Sequence, residues 1–531
     1  MVQYYRTMRK KLSILLLVTL SLPVTSAYAE DSFWADDSSP QGQIGLVWYE
    51  DVLRSGNGIS TITAYGDNNT FGICESLSDP ACSTFKNKNI EIMLPVCDDA
   101  KYTYCIEGLS VGNEKTQLTQ GTYIRSIQGT TVVEDKKANL PAGATTSLWR
   151  VNGQSHTGGS DQYSVGARLR YSYSDGRLNL IGFETSIVPF REVTGGNYSL
   201  MQMKIVNFGG RDQLVHYWHV GNCIWQEPSR CAVATRWSAG SIASIKLRVP
   251  NSVTGWLHGR LEDPSVEVEK IDETTNRLSV TAKPVTVQGS APKVNVNEIS
   301  PELMKVITRN GAEPLRKDSG YVWQMEPATY NLDWFNAWLP LTKDKADGLS
   351  DYWNFKSIAG HFTSASEGKC LGSTKKLVGL VTTNSLWYSG NPPAFQDSEL
   401  NYKVAALHFN PDGTTPFLGT YDLVLDSDAA RCLYGYTSAP IQASISILSA
   451  NGQNQVATTT LSEAKGWLKL SAKGFTFSDP TIKVKLTQLQ EKPVETPVIA
   501  IQKSTITCKK GKVQRKVTGL KPTCPSGFKK S

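Results

Sequence analysis

The run Ser164-Val165-Gly166-Ala167-Arg168-Leu169-Arg170-Tyr171 alternates side chains that avoid water with smaller or charged ones. Successive side chains of an extended strand point to opposite faces, so Val165, Ala167, Leu169 and Tyr171 share one face and can cover a core. Gln43-Ile44-Gly45-Leu46-Val47-Trp48-Tyr49 and Arg277-Leu278-Ser279-Val280-Thr281-Ala282 repeat the pattern. Turn residues separate such runs, as in Ser174-Asp175-Gly176 and Asn410-Pro411-Asp412-Gly413. Helical windows are few. Ile299 to Ile307 offers Ser300 as N-cap and Pro301 at the first helical position. Leu332 to Leu339 places Trp334 and Trp338 four apart. Strands and helices do not alternate regularly, which argues against a doubly wound parallel sheet. The expected fold is mainly β, with several β-sandwich-like regions and a few short helices, stapled by disulfides.

A chain of 531 residues is long enough for three or four domains. We divide it into a leader (1–29), a cysteine-rich β region (30–144), a second β region (145–290) and a mixed, Trp-rich region (291–393). A sandwich-like domain (394–489), a linker (490–502) and a basic tail (503–531) follow. The sandwich-like domain is the most legible. Its strand runs are Ile441 to Leu448, Gln455 to Leu461, Trp467 to Leu470 and Ile482 to Leu486, with an Asn451-Gly452 turn after the first. The linker holds Pro493 and Pro497, which stiffen it.

The leader carries Arg6, Arg9, Lys10 and Lys11, an apolar run from Leu12 to Leu22, and the small-x-small sequence Ala27-Tyr28-Ala29. That is the pattern of a secretory signal peptide. The apolar run falls short of the ~20 residues that cross a bilayer, and no other run is long enough. The ten cysteines of an exported chain read as disulfides. Cys74 and Cys82, Cys97 and Cys105, and Cys223 and Cys231 are each eight apart. Cys370 and Cys432 would then close a long loop, and Cys508 and Cys524 the tail. Nested pairing, Cys74 with Cys105 and Cys82 with Cys97, is open at this stage. No spacing matches a zinc site, and no motif points to a cofactor.

The formal charge is +7, yet the tail alone holds nine Lys or Arg and no Asp or Glu. With the four cations of the leader set aside as well, the body is net acidic. A nucleic-acid binder would carry its positive charge on a folded face with aromatics interleaved, so nucleic acid is not an expected partner. The tail reads Thr505-Ile506-Thr507-Cys508, then Gly511-Lys512, Lys516-Val517-Thr518 and Lys521-Pro522-Thr523-Cys524-Pro525-Ser526-Gly527-Phe528-Lys529-Lys530. This pattern resembles the short basic two-cysteine module that ends many uncharacterised exported surface proteins of actinobacteria. Arg431-Cys432-Leu433-Tyr434-Gly435, Gly466-Trp467-Leu468 and Phe475-Thr476-Phe477-Ser478-Asp479-Pro480-Thr481 are similar to such proteins too. The resemblance implies export and surface display and brings no catalytic residues. From the residues themselves we expect a hairpin turning at Gly511 and stapled by Cys508 and Cys524, because so small a piece has too little core to hold itself. Lys509, Lys510, Lys512, Arg515, Lys516, Lys521, Lys529 and Lys530 are the expected contacts to an anionic cell-wall polymer or envelope surface.

Candidate chemistry in the body is weak. Gly108-Leu109-Ser110-Val111-Gly112 matches G-x-S-x-G, but a nucleophile needs a strand-to-helix turn there and no helix-forming run follows. His216 and His219 are three apart in a strand-like context, which sends them to opposite faces. Glu184, Glu262 and Asp263, with Trp256 and Arg260 nearby, could serve a glycosidase, though no spacing singles out a pair. Asp67, Asp412, Asp426 and Asp428 sit in turns without a calcium-loop pattern. Trp48, Trp149, Trp225 and Trp467 read as core, and Trp334, Trp338, Trp353 and Trp387 as the better candidates for an exposed, sugar-stacking set. Asn68-Asn69-Thr70 and Asn197-Tyr198-Ser199 are formal sequons. The expectation is an exported, non-enzymatic scaffold for adhesion or for a polysaccharide or protein ligand. The alternative is a secreted carbohydrate-active hydrolase with a carboxylate pair in a Trp-lined cleft.

Overall fold

The computed structural model describes residues 31–34, 39–48, 50, 58–66, 70–98, 101–208, 211–216, 223–309, 320–327, 332–358, 370, 376–436, 441–448, 457–477, 481–488 and 503–531. The leader, the Asn451-Gly452 turn, the linker, His219, His361, Asp67 and the Asn68-Asn69 sequon lie outside the described residues. The chain forms two compact units, Met1–Thr437 with Ala443–Leu486, and Ser438–Gln442 with Thr487–Ser531.

The first unit is built on a fifteen-stranded sheet. Its centre is the hairpin of Gln162–Ser174 and Arg177–Thr194. Asp175 and Gly176 make the two-residue turn at φ 50° and 77°, the left-handed pair that a tight hairpin requires and that Asp-Gly supplies. From this hairpin the sheet runs one way through Asn87–Met93, Thr61–Gly66 and Thr70–Cys74. The other way it runs through Asn354–Ser357, Gly255–Arg260, Leu377–Thr383, Leu418–Asp426, Trp467–Thr476 and Thr458–Ala464. Most neighbours are antiparallel, but Gly255–Arg260 and Leu377–Thr383 run parallel.

A five-stranded sheet packs on one face. Its order is Glu262–Lys270, Thr275–Lys283, Ser241–Pro250, Cys105–Asn113 and Thr116–Gln120. Val165, Leu169, Phe183, Leu257 and Phe355 from the long sheet and Leu109, Ile245, Leu247 and Val280 from the shorter one share a single buried cluster. The alternation that predicts strands therefore also says which side chains meet. The body is mainly β, and strands from all four regions set out above hydrogen-bond within the long sheet. Hydrogen-bonded pairing thus crosses residues 144, 290 and 393.

The segment 394–489 contributes to two sheets. Trp467–Thr476 and Thr458–Ala464 close the long one, while Glu399–Ala405, Thr481–Gln488 and Ile441–Leu448 join a separate five-stranded sheet. Tyr402 and Tyr421, ring centroids 6.0 Å apart, bring the two together. Pro301–Arg309 and Leu332–Thr342 are helices, the former capped where Ser300 Oγ accepts from Leu303 N–H at 3.1 Å. A third helix, Ser427–Tyr434, has Asp426 as N-cap and Gly435 at φ 67° beyond its end.

The cysteines pair in sequence order as Cys74–Cys82, Cys97–Cys105, Cys223–Cys231, Cys370–Cys432 and Cys508–Cys524. The nested alternative does not occur. No described helix is long and apolar enough to cross a membrane, a statement that leaves β-barrels aside.

In the second unit Ser504–Lys510 is flanked by Val513–Gly519 and by Lys529–Lys530. Gly511 turns the hairpin at φ 61°. Cys508 is fully buried, so the disulfide to Cys524 is the centre of what little interior this sheet has.

Candidate functional site

Register sorts the cations of the tail. Lys509 lies opposite Gln514 on one side and Lys529 on the other, and Thr507 opposite Lys516. Directly opposed residues share a face, so Lys509, Lys516 and Lys529 stand together with Thr505, Thr507, Gln514 and Thr518. The other face carries Ile506, Cys508, Val517, Lys510, Arg515 and Lys530 by the same rule. Arg515 lies over the Phe528 ring, 5.6 Å from its centroid, a cation–π contact. All nine Lys and Arg of the tail are exposed. Among the described residues, none of the nine has an ion-pair partner. Like charges this close, with no acid in the segment, produce a positive potential that an anion relieves.

The charged residues of the body behave differently. On the face of the long sheet away from the five-stranded one, Arg168, Glu184, Lys356 and His258 stand in register across four strands. Glu184 is 5 % exposed and bound by Arg168, which also holds Glu91 at 3.1 Å. Lys356 Nζ reaches Glu326 at 3.0 Å. Burial works against its ammonium, but Glu326 and Glu50 outweigh it and raise its pKa. Arg260, with no exposed surface, donates to Glu50 at 2.5 Å and to the carbonyls of Ser385 and Thr383 at 2.5 and 3.1 Å. The Tyr388 ring lies 4.4 Å from the guanidinium. Burial, with the nearby Lys356 and Arg260 charges, holds His258 neutral. Its Nδ1 has no hydrogen-bond partner among the described residues.

The carboxylates considered for glycoside hydrolysis are thus engaged with cations. Glu184 is locked in the ladder, and Glu262 and Asp263 meet Lys473 at 2.5 and 2.8 Å. Burial of Asp263 is outweighed by Lys473, which holds its carboxyl below the usual range. Ser110 sits in mid-strand between the buried Leu109 and Val111. His216 ends the Arg211–His216 strand. His156 is buried, which lowers its pKa to about 4. Its Nδ1 accepts from Gly158 N–H at 3.2 Å, leaving Nε2 to donate to the Gln162 carbonyl at 3.1 Å. Asp412 is a turn residue, with its carboxylate accepting from Thr415 and Thr414 and its pKa lowered to about 2 by those bonds.

One expectation fails. Trp334, Trp338, Trp353 and Trp387 are buried and form no sugar platform. Trp334 and Trp338 pack edge-on against Trp323, and Trp353 donates its Nε1–H to the Ala282 carbonyl at 3.0 Å. The tryptophans lie in the less regular region because it, too, has a core to fill. Trp48, Trp149 and Trp225 are buried and Trp467 half-buried.

Sequence reading missed the ladder and two surface grooves. One groove, about 350 Å³, lies between Tyr102, Tyr104, Pro141 and Asn139. The other, about 670 Å³, lies along Arg236, Trp237, Lys283, Glu262 and Asp351. In the second, Arg236 is already paired with Asp351 at 3.2 Å. Among the described residues no cluster of His, Cys, Asp and Glu could hold a metal ion. No protein-family profile matches the chain, and no characterised protein matches its sequence.

Proposed function

We propose that this is an exported protein whose β body is held at the cell envelope by its C-terminal sheet, through attraction between clustered ammonium groups and an anionic surface. The body serves as a non-enzymatic scaffold for adhesion or ligand binding. One observation carries the reading: the disulfide-stapled tail holds nine exposed cations and no acidic residue, and among the described residues none of the nine has an ion-pair partner. The leader sequence and five disulfides, which persist in oxidising compartments, support export. The resemblance to actinobacterial surface proteins fits the same reading. The hydrolase alternative gains no observation, since its carboxylates are bound to Arg and Lys.

The test is retention on isolated cell walls. Full-length protein is expected to bind at ~0.05 M salt and to be released by ~0.5–1 M, where charges are screened beyond a few ångström. Protein ending at Gln502 is expected not to bind. Equal retention of the two forms overturns the proposal.

A further inference from the structure

We infer that the docking surface is the Lys509–Lys516–Lys529 face, and that its occupant is a linear polymer carrying phosphate groups. The inference rests on the anchoring role above and specifies its partner. Lys509 and Lys529 are direct cross-strand neighbours, about 5 Å apart at their Cβ atoms. Lys516 is the diagonal neighbour of Lys509 on the third strand, at about 7–8 Å. Three ammonium groups in that space repel one another. A single headgroup relieves one of them, whereas successive charges of one polymer relieve all three and bind with the gain of linked sites.

The spacing of point charges favours phosphate. An arginine fork grips carboxylate and phosphate alike, whereas separate lysine ammonium groups act as point charges that the diverging oxygens of a tetrahedral phosphate can meet from more than one side. This face has lysines and no arginine. Arg515, the one arginine of the tail, lies on the opposite face against Phe528. Thr505 Oγ1 and Thr518 Oγ1 are 2.7 Å apart. Each hydroxyl has one proton, so one of the two is free to donate outward to a phosphate oxygen. The face carries no apolar side chain to enter a bilayer, unlike a helix or sheet built to lie in a lipid interface. It carries no aromatic ring on which a base would stack, so the phosphates are those of a chain without bases.

The experiment uses the full chain with three probes: long-chain inorganic polyphosphate, polygalacturonate of matched charge, and phosphatidylglycerol vesicles. Polyphosphate is expected to bind at least fivefold tighter than polygalacturonate. Replacing Lys509, Lys516 and Lys529 together by Gln is expected to weaken polyphosphate binding on the order of 100-fold, from roughly fivefold per cation. The control replaces Lys510, Lys512 and Lys521 by Gln, removes the same charge, and is expected to weaken it less than about tenfold. An intact Cys508–Cys524 bond by mass spectrometry shows that both variants keep the staple. Equal losses in the two variants overturn the assigned face. Preference for polygalacturonate, or binding to vesicles alone, overturns the phosphate polymer while leaving electrostatic anchoring in place. No binding to any of the three removes the anchoring role itself.

Discussion

At residue 422 a carboxyl group with no exposed surface sits between the two main sheets. One oxygen accepts the Asp263 N–H at 3.1 Å, and the Ser471 hydroxyl lies beside the carboxyl. Burial raises its pKa from 3.8 to about 6. Because the folded state holds this proton more tightly than the unfolded chain, the group favours folding most at pH below 3.8. That contribution is lost as pH rises to 6 and beyond. Asp422→Asn keeps an acceptor for Asp263 and removes the charge. Urea unfolding is expected to find the variant equal to the native protein near pH 3.5 and more stable by about 3 kcal/mol at pH 8, from a shift of roughly two units at 1.36 kcal/mol each. A variant less stable at pH 8 would mean that the carboxylate is compensated there.

Between elements, the Glu50–Arg260 pair joins the segment after Gln43–Trp48 to the Gly255–Arg260 strand. Removing one partner from a buried pair strands the other charge. Arg260→Met is therefore expected to cost about 3–5 kcal/mol, and Glu50→Leu combined with it to regain at least half. Denaturant melts of the single and double variants check this; a single-variant cost below ~1 kcal/mol would show a pair screened by water. The ladder explains part of what sequence conceals. Arg168 and Arg170 alternate with core residues and read as a solvent face, yet Arg168 is 3 % exposed because other parts of the chain cover that face. Alternation reports which side chains lie together. It does not report whether the polar side meets water or more protein. The helix beginning at Ser427 is hard to read from sequence for a related reason. Asp426 and Gly435 mark its ends, but eight residues between two strands give periodicity little room.

At the scale of the whole molecule, strand runs such as Ser164 to Tyr171 are legible because alternation is local. Strand order is not, because pairing joins residues far apart: Glu91 opposes Arg170, Ser244 opposes Ser110, and Glu184 opposes Lys356. Composition shifts therefore suggest four body regions, whereas hydrogen bonding carries one long sheet through all four. A fragment of residues 145–290 would keep the central hairpin but lose Asn87–Met93, Cys105–Asn113, Asn354–Ser357 and Leu377–Thr383 from its flanks. It is expected to show no cooperative thermal transition by circular dichroism, whereas residues 31–488 show one. A sharp transition in the fragment would show a unit that folds by itself between 144 and 290. The tail was legible in another way, since its charge and its two cysteines lie within twenty-nine residues. What sequence alone did not show is which lysines share a face.

The strand Gln43–Trp48 lies between Lys293–Asn295 and Tyr321–Met325. A chain delivered from its N-terminus must therefore present this strand roughly 250 residues before either neighbour arrives. At synthesis rates of ~5–20 residues per second that is a wait of about 12–50 seconds with both edges unpaired. Ile44, Leu46 and Val47, fully sheltered in the finished protein, are bare for that interval. A holding chaperone that meets the emerging chain would find these three side chains within reach.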